Sequence, residues 1–222
     1  MSWESTAEYY RIANELVRDR LGGVHSAKIV LDSVDFAEIE TLQASGDWER
    51  AGEILASRAR AVHAAGADLI VVCTNTMHKV IAAIESAVSI PVLHIADATA
   101  AAIRTANVSR VGLLGTAFTM EQDFYRERVA AHGIEVLTPN PDDRAIVHSV
   151  IYQELVVGVV RDQSRAAYRE IIDRLIADGA EGIILGCTEI ELLIRPQDCP
   201  NVPMFPTTRI HVEAAVHAAL AD

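Results

Sequence analysis

Two cysteines stand out by type and spacing. Cys73 lies in Ile70-Val71-Val72-Cys73-Thr74 and Cys187 in Ile184-Leu185-Gly186-Cys187-Thr188, 114 residues apart. Each closes an uninterrupted aliphatic run and precedes a threonine. A run of that kind between turn residues reads as a strand buried on both faces, as in a parallel sheet. In open parallel sheets ligands bind beyond the carboxyl ends of the strands, which is where both thiols fall. Two thiols able to face one substrate carbon suit a particular chemistry, in which one takes a proton as thiolate while the other returns one to the opposite side. The hydroxyls of Thr74, Thr76 and Thr188, the Asn75 amide and helix-start N–H groups supply donors for a carboxylate. Taken singly, a cysteine after a strand is most simply a small hydrophobe. A repeat-related pair, each followed by Thr, shifts the reading to function. Cys199, in Asp198-Cys199-Pro200, has no repeat partner and is read as incidental.

The repeat extends beyond the cysteines. Tyr9-Tyr10-Arg11 matches Phe124-Tyr125-Arg126, and Ile90-Pro91-Val92 matches Val202-Pro203-Met204, at nearly the same offset. Both halves read as helix, strand, helix, Cys-strand, helix, Pro-strand, helix, which implies α/β architecture with parallel sheets and right-handed crossovers. Helices are expected near 3–20, 47–65, 76–86, 97–106, 119–131, 143–157, 162–178, 189–194 and 208–221. Strands are expected near 28–32, 69–72, 91–95, 110–114, 134–137, 182–186 and 202–205. A pseudo-twofold axis relating the halves would bring the cysteines face to face. The second half opens on a strand, Arg110-Val111-Gly112-Leu113-Leu114, whose counterpart would fall before Met1, so the first half is expected to lack its opening strand.

Composition narrows the class. Half of the 222 residues are hydrophobic and 23% are charged, enough for a substantial core. A net charge of −12 with no basic stripe argues against nucleic-acid binding. No apolar run reaches membrane-spanning length, and Met1-Ser2-Trp3-Glu4 does not open a secretory signal, so neither membrane association nor export is expected. Three sparse cysteines fit a reducing cytoplasm. A pyridoxal phosphate enzyme needs a Schiff-base lysine, and only Lys28 and Lys79 occur, neither in a suitable motif. Cys73, His78 and Cys187 match no zinc-ligand spacing, so no metal is expected. His94 is read as a strand-end core or cleft residue, and His25, His63, His132, His148, His211 and His217 as surface positions.

The segments Val72-Cys73-Thr74-Asn75-Thr76-Met77-His78-Lys79 and Leu185-Gly186-Cys187-Thr188-Glu189-Ile190 resemble the paired signature of the aspartate/glutamate racemase family. So do Ser2-Trp3-Glu4-Ser5-Thr6, Ser33-Val34-Asp35-Phe36, Gly115-Thr116-Ala117-Phe118-Thr119-Met120-Glu121 and Thr207-Thr208-Arg209-Ile210-His211. The resemblance covers almost the whole chain. It implies two flavodoxin-like domains, residues 1–98 with 208–222 and residues 99–207, with the active site in the cleft. It also implies cofactor-independent racemisation of aspartate or glutamate by Cys73 and Cys187, in a homodimer. The matching substrate-binding residues are Thr74, Asn75, Thr76, Thr116, Thr119, Thr188 and Gln43. Pro206 stands where the family has Asp, which leaves the substrate side chain's partner open. A hydantoin racemase, a maleate isomerase type of enzyme, and a non-catalytic amino-acid-binding relative are the competing readings. Glu189 is either a helix-start charge or a tuner of the Cys187 thiol.

Overall fold

The computed structural model describes residues 1–221. It divides into two compact units. One comprises Met1–His94 with the C-terminal stretch from His211, and the other comprises Ile95–Ile210.

In the first unit, Ser2 accepts the Ser5 amide at 3.1 Å and starts α1 (Trp3–Leu21). Asp35 caps α2 (Phe36–Ser45), and Asp47 caps α3 (Trp48–Ala64). Between them the chain turns at Gly46, whose φ of 75° is left-handed, while Asp47 and Gly46 donate back to Leu42 and Gln43. β1 (Ile70–Val71) pairs in parallel with β2 (Val92–Leu93). A 3₁₀ turn, Thr76–Val80, and the short α4 (Ile81–Glu85) join them. Alternation along β1 feeds two separate apolar clusters. Ile70 and Val72 pack with Ile39, Ala51, Leu55, Met77 and Ile84, while Val71 and Cys73 pack with Tyr9, Ile12, Val212 and Val216. The strand is thus covered on both faces.

The second unit holds α5 (Ile95–Thr105), β3 (Arg110–Gly115), α6 (Ala117–Glu121), α7 (Asp123–Ala130), β4 (Glu135–Leu137) and α8 (Pro141–Gln153). There follow α9 (Asp162–Ala177), β5 (Gly182–Gly186), α10 (Ile190–Leu193) and β6 (Met204–Pro206), and then α11 (Thr207–Ala219), which runs on into the first unit's residues. The four strands are parallel in the order β4-β3-β5-β6. Every residue of β5, and all of β3 after Arg110, is buried, as the continuous apolar runs require. Two glycines set the spacing where these strands end. A Cβ on Gly186 would lie 2.8 Å from the Leu114 carbonyl oxygen, and one on Gly115 would lie 3.0 Å from the Gly186 carbonyl oxygen.

Sequence and structure differ in three places. Residues 28–32 form no strand, because β1 has only β2 as ladder partner among the described residues. α2 is not among the expected helices; its Asp35 cap and Gly46 stop are local signals hidden behind a short, weakly patterned helix. The expected helices 76–86, 119–131 and 143–157 are each broken, at Val80, Gln122 and Glu154 respectively.

Gly186→Ala should destabilise the protein by about 2 kcal/mol, because backbone rather than a flexible side-chain tip blocks the new methyl. Urea titration checks this; a loss under about 0.5 kcal/mol would refute the close-approach argument.

Candidate active site

At the carboxyl end of β1 the chain passes through Val72 to Cys73 and then turns sharply, with the Thr74 amide donating to the Val72 carbonyl at 2.8 Å. The Cys73 carbonyl accepts from the Met1 ammonium at 2.6 Å and the Ser5 hydroxyl at 3.0 Å. The start of α1 is therefore tied to the cysteine turn, which gives Ser2-Trp3-Glu4-Ser5-Thr6 a structural role. The Cys73 side chain is half-buried, and loss of solvation among its neighbours pushes the thiol up to about 11; the Met1 ammonium pulls partly the other way. Thr74, Asn75 and Thr76 are buried just beyond it. Gln43, on α2, is buried and donates to the Met77 sulfur at 2.9 Å, so α2 braces the turn that carries these residues.

Behind that turn lies a ring cluster. His78 Nδ1 is 2.7 Å from the Thr74 carbonyl, and its ring is 4.6 Å from that of His94 and 5.8 Å from that of His211. His211 Nδ1 is 2.9 Å from the Tyr9 hydroxyl, and its Nε2 is 3.0 Å from the Leu93 carbonyl. Burial, with the neighbouring His94, lowers His211 to about 4 and His78 well below its usual value. The lowering favours the neutral ring in His78 and His211, and each hydrogen bond to a carbonyl places a proton on that nitrogen. His211 is fully buried, so its reading as a surface residue is corrected. The cause is tertiary: Tyr9 and Leu93, remote in sequence, satisfy both ring nitrogens. Lys79 Nζ sits 4.1 Å from the Trp48 ring centroid, a cation–π contact between the 3₁₀ turn and α3.

The second unit builds its turn differently. Gly115 and Gly186 lie side by side in register, so Thr116 and Cys187 leave adjacent strand ends. Thr116 caps α6: its Oγ1 accepts the Thr119 amide at 3.3 Å and lies 3.2 Å from the Thr119 hydroxyl. The Ala117 amide donates to His148 Nδ1 at 3.1 Å. Cys187 is half-buried, and its Sγ donates to Glu189 Oε2 at 3.0 Å, with Glu189 itself only 5% exposed. Burial first, and then the Glu189 charge and hydrogen bond, push this thiol well above its ordinary value. That contact favours the thiol-tuning reading of Glu189; the following α10 is a single four-residue turn, too short for a strong dipole. Thr188 is buried beside it, and the Thr207 hydroxyl donates to the Leu185 carbonyl at 2.8 Å, tying α11 to β5. Glu191 Oε1 accepts the Thr208 amide at 3.3 Å.

The structure thus gathers Cys73, Thr74, Asn75, Thr76 and Gln43 around the end of β1, and Cys187, Thr188, Thr116 and Thr119 around the ends of β3 and β5. Cys199 packs into the core of the second unit. Among the described residues, no three His, Cys, Asp or Glu side chains converge as metal ligands. No helix among them is long and apolar enough to cross a membrane.

The chain thus forms two parallel-sheet units, each with a cysteine just past the carboxyl end of a strand. The family model for Asp/Glu/hydantoin racemases matches residues 1–215, and the chain belongs to that family, whose Asp/Glu racemases are isomerases acting on amino acids. The fold is similar to that of a Yersinia pestis protein solved as a candidate Asp/Glu racemase, at 55% identity, covering 99% of this chain and 96% of that one, with a TM-score of 0.92. An aspartate racemase homologue from Pyrococcus horikoshii OT3 is 33% identical, covering 98% and 95% of the two chains, with a TM-score of 0.85. A glutamate racemase of Persephonella marina is 27% identical over 134 residues, 56% of this chain and 47% of that protein. The chain spans about half the length of the curated glutamate racemases it matches.

Alkylation by iodoacetamide should separate the two thiols. In a Cys187→Ser/Cys199→Ser background, Cys73 should react slowly at pH 8 and accelerate toward pH 11, since only the thiolate attacks. In a Cys73→Ser/Cys199→Ser background, Glu189→Gln should speed Cys187 alkylation at pH 8 about tenfold or more by removing the like charge. An unchanged rate would show that Glu189 does not control that thiol.

Proposed function

We propose that this chain is a cofactor-independent racemase of an acidic amino acid, aspartate or glutamate, in which Cys73 and Cys187 are the paired acid and base. The observation that carries the reading is the placement of a Cys-Thr turn at the carboxyl end of each of two repeat-equivalent strands, β1 and β5. One thiol as thiolate removes the α-proton, breaking the Cα–H bond and leaving its electron pair on the carbon. The other thiol delivers its proton to the opposite face. The product is the mirror-image amino acid, and the two sulfurs have exchanged protonation states. Nothing is oxidised or reduced, and either enantiomer can enter.

The carbanion-like transition state places charge on the substrate carboxylate, so fixed donors there lower the barrier most. Thr74, Asn75 and Thr76 from one unit and Thr116, Thr119 and Thr188 from the other are assigned to that role, with Gln43 also assigned to the substrate. Glu189 holds the Cys187 proton in place and makes that thiol the resting acid; Cys73, without a carboxylate hydrogen bond of this kind, is the readier base. The three free cysteines suit a cytoplasmic enzyme, and we assign it there as a homodimer. The family description also names hydantoin racemases, which makes a hydantoin the second substrate class to test.

Proton NMR in D₂O should show loss of the α-proton from aspartate or glutamate without added cofactor. Cys73→Ser and Cys187→Ser should each slow exchange more than about a hundredfold, the usual contribution of one acid or base, with circular dichroism unchanged. Either variant retaining full activity would defeat the two-base assignment. Exchange of 5-substituted hydantoins in preference to amino acids would move the substrate class.

A further inference from the structure

The five-residue helix α6 holds both threonines that follow β3: Thr116 caps it and Thr119 lies within it. So short a helix has little stability of its own, because its first turn fixes several residues for a single hydrogen bond. Its place is set instead by α8, which reaches it with two side chains one turn apart. At the far end of α6, Arg144 Nε donates to Glu121 at 3.0 Å, while its Nη1 donates to the Pro139 carbonyl at 2.8 Å. At the near end, His148 Nδ1 accepts the Ala117 amide at 3.1 Å. That amide is the first of the helix and has no carbonyl of its own helix to bond. The imidazole also packs against two rings, Tyr152 at 4.7 Å and Phe118 at 6.2 Å between centroids.

The direction of the Ala117 bond fixes the state of the imidazole. A backbone amide can only donate, so Nδ1 carries a lone pair and the proton of the neutral ring sits on Nε2. A protonated imidazole has two N–H donors and no acceptor, so this bond exists only while His148 is neutral. The surroundings favour that state: burial lowers His148 from its usual value, against the opposing pull of the Glu121 charge. Glu121 from α6 and Tyr152 from α8 are the titratable groups facing the ring, and Arg144 is bound to Glu121.

We propose that His148 is a positioning residue for Thr116 and Thr119, a latch that holds the start of α6 while neutral and releases it on taking up a proton. The proposal rests on the assignment of those two threonines to the substrate carboxylate. A proton on Nδ1 would face the Ala117 N–H, donor against donor, so the start of α6 must shift. Ala117 lies between the two threonines in sequence. Thr116 Oγ1 accepts the Thr119 amide at 3.3 Å and lies 3.2 Å from the Thr119 hydroxyl, so a shift there carries both. Because burial favours the neutral ring, the latch is closed at neutral pH and above and opens on acidification.

Two substitutions separate the latch from simple packing. His148→Asn puts an amide oxygen near the place of Nδ1, an acceptor at any pH, and gives up the ring. His148→Phe keeps a ring beside Tyr152 and Phe118 and gives up the acceptor. In the native chain the Ala117 amide resonance should shift together with the His148 ring nitrogens as pH is lowered from about 8 to about 5; in His148→Asn it should not titrate. Hydrogen exchange at Ala117 should accelerate about tenfold or more in His148→Phe and stay within about threefold of the native rate in His148→Asn. An Ala117 resonance indifferent to the protonation of His148, or exchange no faster in His148→Phe than in the native chain, would overturn the latch. With aspartate or glutamate, His148→Phe should raise KM about tenfold with little change in kcat, and His148→Asn should keep the native KM. An unchanged KM in His148→Phe would overturn the positioning role. The amide readouts need no activity, so a chain that racemises neither amino acid would defeat the two-cysteine reading while the latch is decided by NMR alone.

Discussion

A strand buried on both faces can carry no unpaired polar side chain along its length, because each would forfeit its hydrogen bonds to water. Polar chemistry is therefore confined to the residues just past the strand's end. β5 shows the constraint at full strength: Gly182–Gly186 is entirely buried, and the next three residues are Cys187, Thr188 and Glu189. β1 ends in the same way, passing from Val72 into Cys73, Thr74, Asn75 and Thr76. Close approach of the backbones then sets how tightly those ends cluster. With glycine at 115 and 186, Thr116 and Cys187 leave neighbouring strands side by side; with any larger residue at 186 the Leu114 carbonyl would be pushed away.

That constraint explains what is legible in the sequence. Continuous aliphatic runs are unambiguous where a strand is buried on both faces, so β3 and β5 are placed to within a residue, and the polar cluster past each end follows. The repeat-related Cys-Thr pairs are legible for the same reason: nothing else in an apolar run explains a hydroxyl at that spot. Family membership is legible from several motifs distributed along the whole chain and agrees with the match over residues 1–215.

What is not legible depends on partners far away in the chain. His211 lies on a helix whose neighbours include Arg209, Glu213 and His217, and nothing local distinguishes it from a surface histidine. Only Tyr9, 202 residues away, and the Leu93 carbonyl make its burial tolerable. Residues 28–32 illustrate the reverse case. Their composition is that of a strand, but strand identity belongs to a ladder and not to a segment. At Val80, Gln122 and Glu154 the backbone leaves helical geometry although the helical periodicity on either side of each gives no local signal to stop.

The two cysteines, equivalent by the repeat, occupy unequal environments. Cys187 donates to a buried carboxylate, while the Cys73 turn is held through its own carbonyl by Met1 and Ser5. For a racemase this inequality is constrained by thermodynamics. Enantiomers have the same free energy in water, so the equilibrium constant is one and kcat/KM must be equal in the two directions, however different the thiols. Unequal thiols can therefore appear only as matched changes in kcat and KM: the direction that starts from the less stable protonation state gains in one and loses in the other. A carboxylate placed on one side of such a pair cannot bias the product. Under the two-cysteine proposal, what it would fix is which protonation state the free enzyme rests in, and hence which enantiomer meets an enzyme already prepared to accept its proton.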